Sequence, residues 1–204
     1  MKIYNNNNSP NFQARLVARA ITPKSEFEIL ELDKITDANA LKKISDSFTK
    51  ENILQRFPDE GLLSVTLNFI KNTFNSINNQ NTRSFLTISN GKPTGLMTFE
   101  TSKPDRYIRV GYLAAWKPDG AEKPFYNGKT LIRHLFEEAK LNKTETIDLT
   151  PGFKSDLFYE KMGFEKDGFD VIIQQDKIQS SLNEIDKVIK YEPLEVKPQV
   201  DLIV

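Results

Sequence analysis

Gly128-Lys129-Thr130 is a segment whose residue types could do chemistry, because glycine, lysine and a hydroxyl in that order close a phosphate-binding loop. That loop needs a first glycine just before Pro124, and the position holds Lys123, so a nucleoside-triphosphate site is rejected. The chain has no cysteine, which removes disulfides, thiolate-bound zinc and thiol nucleophiles together. A single histidine, His134, rules out histidine metal clusters and would be the only possible member of a Ser-His-Asp triad. It falls in a helical stretch where Leu131 and Leu135 mark the buried side, so it reads as a surface or boundary residue rather than a catalyst. Lys140, Lys143 and Glu145 read as solvated surface. The remaining short pattern is Leu157-Phe158-Tyr159-Glu160-Lys161-Met162-Gly163-Phe164, in which Gly163 suits the left-handed cap that ends a helix.

Bulk properties narrow the setting. Among 204 residues, 38% are apolar and 27% charged, with 14 Phe, which fits one globular domain with extensions. Lys plus Arg equals Asp plus Glu at 28 each, so no field for nucleic acid or an anionic membrane is expected. No apolar run approaches the roughly 18 residues of a membrane span. Met1–Pro10 carries an Asn run and no apolar core, unlike a secretory signal, so a cytoplasmic location is expected.

These residues need elements to position them. Phe12–Ile21 reads as a strand or arm, Phe27–Leu32 as a strand, and Thr36 or Asp37 begins a helix through Phe48. After Pro58-Asp59, the spacing of Leu63, Leu67, Ile70, Phe74 and Ile77 predicts an amphipathic helix. Arg83–Ser89 and Pro93–Thr101 form a hairpin about Asn90-Gly91, and Tyr107–Lys117 is the next strand. Asn127–Leu141 is helical, Thr144–Leu149 a strand, Phe153–Met162 a short helix and Phe169–Gln174 a strand. Ile178, Leu182, Ile185 and Ile189 suggest an added helix, followed by an extended tail from Pro193. The fold class is α+β, a mixed, mostly antiparallel sheet flanked by helices. The expected divisions are a flexible arm over 1–24, a domain over 25–175, and a helix and tail over 176–204.

This order of elements, ending in Phe158-Tyr159-Glu160-Lys161-Met162-Gly163-Phe164, resembles the GCN5-related N-acetyltransferases over roughly residues 26–174. The resemblance implies acetyl-CoA as co-substrate, no metal, and a small-molecule or peptide amine as acceptor. It implies that Tyr159 protonates the departing thiolate, a role open to a phenol of pKa about 10. It places the cofactor phosphates at Lys123, Phe125, Tyr126, Asn127, Gly128, Lys129 and Thr130, where a turn enters a helix. Here the sequence departs from the family: Lys123 replaces Arg or Gln, and Tyr126 stands where a glycine would allow a positive φ. The resemblance also implies that the amides of Ala115 and Trp116 hold the acetyl carbonyl. Gly152 occupies the place of an Asn that contacts the cofactor arm. Glu100 is the candidate base, against a reading as a solvent-facing carboxylate. The alternative is a related module with weakened catalysis that binds or regulates; the C-terminal helix would then serve a homodimer or partner interface, or equally pack back on its own domain.

Overall fold

The computed structural model describes residues 14–57, 63–79, 81–118, 126–152 and 155–194. Expectations for Met1–Pro10, Phe12, Pro58-Asp59, Lys123–Phe125, Phe153 and residues 195–204 lie outside these.

The strands are β1 (Arg15–Ile21), β2 (Glu26–Glu31), β3 (Thr82–Ser89), β4 (Lys92–Ser102), β5 (Tyr107–Ala115), β6 (Thr146–Leu149), β7 (Glu165–Asp167), β8 (Asp170–Gln174) and β9 (Lys190–Pro193). The helices are α1 (Ala38–Asp46), α2 (Ile53–Arg56), α3 (Leu63–Ser76), α4 (Asn127–Leu141), α5 (Asp156–Glu160) and α6 (Gln175–Asp186). One sheet runs β7-β8-β6-β5-β4-β3-β2-β1-β9. Among the described strands only β5 and β6 pair in parallel, and α4 supplies the crossover that a parallel pair requires. No helix among the described residues is long and apolar enough to cross a membrane.

Period-two alternation divides the sheet between two cores. Met97 and Phe99 of β4 face α4 and α6, whereas Leu96 faces α1, α2 and α3. Leu131, Ile132, Leu135 and Phe136 of α4 are all fully buried on the first face. Each such side chain contributes about 1.5–3 kcal/mol on burial.

The alternation breaks once where it matters. Thr98 pairs with Tyr112 but Phe99 pairs with Val110, so Gly111 is an extra residue, a β-bulge. Before it, Ile108 and Val110 face the α4 core; after it, Ala114 and Trp116 face the α3 core. β6 ends at Leu149, opposite Val110. The two strands therefore part at the bulge.

Three elements were not expected: α2, β7 and β9. The arm expected over 1–24 is, from Arg15 on, a strand between β2 and β9. Residues after 175 contribute α6 to the first core and β9 to the sheet edge. Asp37 precedes α1 without capping it; its carboxylate accepts the Asp33 amide at 2.9 Å.

Candidate functional site

Where β5 and β6 part, a cleft of about 580 Å³ opens. It is lined by Gly128 and Lys129 of α4 and also by Thr66 and Phe69 of α3. Those helices cover opposite faces of the sheet, so the cleft passes through it. Small side chains keep it open: a Cβ on Gly128 would lie 3.3 Å from the Phe158 ring and 4.0 Å from Ala115 Cβ.

The backbone of β5 supplies donors to this gap. The Trp116 amide donates to the Thr94 carbonyl at 2.7 Å, and Ala114 pairs with Leu96. In an antiparallel pair hydrogen-bonded positions alternate, so the Leu113 and Ala115 amides face away from β4, toward the gap. This corrects the expected pair. Ala115 remains at the cleft, but Trp116 does not: its indole is 1% exposed among Phe48 and Phe74, and Nε1 donates to the Pro93 carbonyl at 2.9 Å. Leu113 takes its place, a residue that only the register reveals.

The start of α4 forms one wall. Tyr126 adopts the left-handed conformation at φ +65°, so the glycine-like turn is made despite the side chain. That geometry costs a non-glycine residue about 1–2 kcal/mol. The first ladder bond runs from the Thr130 amide to the Tyr126 carbonyl at 2.8 Å, and no side chain caps the helix. The amides of Asn127, Gly128 and Lys129 thus stand at the positive end of the helix dipole, where anions bind. Lys129 adds a charge and lies 5.6 Å from the Tyr126 ring.

Two expected ligands on this wall have buried side chains. The Asn127 carboxamide accepts from the Thr87 hydroxyl at 2.8 Å and donates to the Thr94 carbonyl, pinning α4 to the β3–β4 hairpin. Its side chain is a fastener; only its amide is at the helix end. Thr130 is fully buried and is not among the residues lining the cleft. Lys123 and Phe125 lie outside the described residues.

Tyr159 lines the cleft from α5. The end of that helix explains the surrounding sequence. The Phe164 amide donates to the Tyr159 carbonyl and the Gly163 amide to the Glu160 carbonyl, both closing a Schellman motif. The apolar contact expected of that motif is present, with the Tyr159 and Phe164 rings 5.7 Å apart. Gly163 has φ +92°, and a Cβ there would sit 2.0 Å from Ser181 Oγ, so both conformation and space require glycine. Tyr159 is 6% exposed, and burial alone pushes its phenol above the ordinary range. It therefore holds its proton at any physiological pH.

Two other expectations change. Glu100 is exposed, pairs across to Arg109 below the bulge, and accepts from the Thr82 hydroxyl at 3.3 Å. It is absent from the cleft lining because β4 carries it toward the opposite end of the sheet. His134 is buried, not a boundary residue: Nδ1 lies 2.6 Å from the Tyr191 hydroxyl and the ring packs on Phe85. Desolvation, then Arg83 and Arg133, push its pKa down to about 3. Gly152 does line the cleft, beside Thr150. The Thr150 hydroxyl donates to Asp170, which chiefly for that reason stays ionised below the usual carboxylate range, a weak base.

No protein-family model matches the chain, and no curated protein matches it. Solved structures do. Mycobacterium smegmatis RimJ in complex with CoA-disulfide is 13% identical with a TM-score of 0.56, over 86% of this chain and 94% of that one. FdhC, described as a nucleotide-linked sugar GNAT, is 14% identical with a TM-score of 0.52, over 82% and 98%. PaiA N-acetyltransferase from Thermoplasma acidophilum, in complex with coenzyme A, is 18% identical with a TM-score of 0.50, over 72% and 96%.

Proposed function

We propose that this chain, which has the fold of the GCN5-related N-acetyltransferases, transfers an acetyl group from acetyl-CoA to an amine. The observation that carries the reading is the cleft through the sheet, with an open helix N-terminus on one face and the protonated Tyr159 on its wall. The residues suit the co-substrate: amides and Lys129 for phosphates, and Gly128, Ala115 and Leu113 for a narrow acyl arm.

Acetyl-CoA would supply a thioester with an electrophilic acyl carbon. The amides of Leu113 and Ala115 would hold the acyl oxygen and stabilise the negative charge that develops on it. The neutral amine forms the new C–N bond with its lone pair, the C–S bond breaks, and its electrons leave on sulfur. Tyr159 gives that sulfur its proton, and the amine's surplus proton passes to water, which later restores the phenol. Holding both reactants in one cleft contributes most of the acceleration.

A second reading, a binding or regulatory module without turnover, is favoured by one observation. No carboxylate or histidine is among the described residues lining the cleft. A thermal-shift titration tests the site common to both. Ligand at a hundred times its Kd adds about 2.7 kcal/mol of stability, so millimolar acetyl-CoA should raise the melting temperature by several degrees. No shift would remove the acetyl-CoA site. A shift without coenzyme A release with any amine would leave the module reading.

A further inference from the structure

The two mouths of the cleft differ in chemistry, and on the premise of the transferase reading that difference names the acceptor. The α4 mouth offers amides and Lys129. The α3 mouth is formed by Phe57, Phe69 and Tyr112 together with Thr66. The Phe69 and Tyr112 rings lie 5.7 Å apart, and both side chains are half-buried, so each still presents surface. Phe57 is buried and packs on Phe48, with the ring centroids 6.1 Å apart.

The bulge that opens the gap also builds this wall. Without Gly111 as the extra residue, position 112 would share a face with Ile108 and Val110 and would point into the α4 core. The bulge turns Tyr112 onto the α3 face, directly beside the Leu113–Ala115 amides. An amine that reaches those amides from this mouth must pass the two rings. A polycation would leave water there without a carboxylate among the described lining residues to replace its hydration. A flat apolar group would gain ring contacts and burial instead.

We infer that the α3 mouth is the acceptor subsite and that it takes an aromatic primary amine, its ring against Phe69 and Tyr112 and its nitrogen toward the Leu113 and Ala115 amides. The test compares 2-phenylethylamine, spermidine and a lysine-containing peptide with saturating acetyl-CoA, following coenzyme A release. Calorimetry of each amine into the full chain saturated with coenzyme A gives a readout independent of turnover. The expected result is a kcat/KM and an affinity for 2-phenylethylamine about tenfold or more above the other two. Phe69→Ala and Tyr112→Ala should each remove most of that preference while coenzyme A affinity stays within about twofold of the parent chain. Phe69→Leu and Tyr112→Leu, which keep the volume, serve if either alanine variant folds poorly. Spermidine or the peptide matching 2-phenylethylamine, or a preference that survives loss of both rings, overturns the inference and leaves the transferase reading standing. Failure of coenzyme A itself to bind overturns both.

Discussion

Two polar regions of this molecule are both built from amides, rings and charges, yet they end in different states. Around His134 most of the charged groups pair with one another: Arg83 joins Glu31 and Glu138, Arg133 joins Asp186 and Glu137, and His134 meets Tyr191 through Nδ1 while its buried Nε2 makes no hydrogen bond. This region ties β9 and α6 to α4. At the cleft the strand amides of Leu113 and Ala115 face a gap, the start of α4 is uncapped, and Tyr126 sits at positive φ. Satisfied polar groups make structure; groups held open against their own cost are where a ligand is expected.

Substitutions in the two regions should therefore separate stability from activity. The largest effect belongs to the cleft: Tyr159→Phe should lower turnover about 100-fold, with acetyl-CoA affinity nearly unchanged. Steady-state kinetics beside calorimetry checks this, and equal turnover in both proteins removes Tyr159 from the acid role. Next comes Glu138→Ala in the paired network. It should cost about 2–3 kcal/mol in urea unfolding, discounted for the part-exposed Arg83 partner, and leave acetyl-CoA affinity alone.

The smallest effect is on pH. His134 is held neutral in the fold down to about 3 but takes a proton near 6.5 when unfolded. Below pH 6.5 the unfolded chain thus binds the extra proton, and stability falls by up to about 1.4 kcal/mol per pH unit. His134→Gln should flatten that slope between pH 6 and 5, measured as the difference in unfolding free energy between the two proteins. An unchanged slope would show that His134 is not the group responsible.

What the sequence made legible follows the strength of local signals. Asn127–Leu141 was readable to the residue because Leu131, Ile132, Leu135, Phe136 and Ala139 recur at helical spacing. Gly163 was readable because a helix end needs that glycine, whereas Tyr159 was singled out only by the family resemblance. The short elements were not: Glu165-Lys166-Asp167 has no apolar residue, and β9 ends in Pro193, tolerable only at a sheet edge. His134 was misplaced for the same reason, since its partner Tyr191 lies on that unread strand. The donor pair at the gap was shifted because a single bulge at Gly111 resets every later side chain, and a lone glycine within a strand was the one signal that could have shown it.

The central claim is that the gap between β5 and β6 is an acyl-CoA site, and calorimetric titration of acetyl-CoA into the parent chain and Gly128→Phe tests it most directly. A side chain at Gly128 would enter the space where Phe158 already lies 3.3 Å from a Cβ. The account predicts saturable binding at one site in the parent chain and its loss in a variant that keeps the parent's circular dichroism. Absence of binding at millimolar acetyl-CoA, or equal binding in a folded Gly128→Phe, would contradict it.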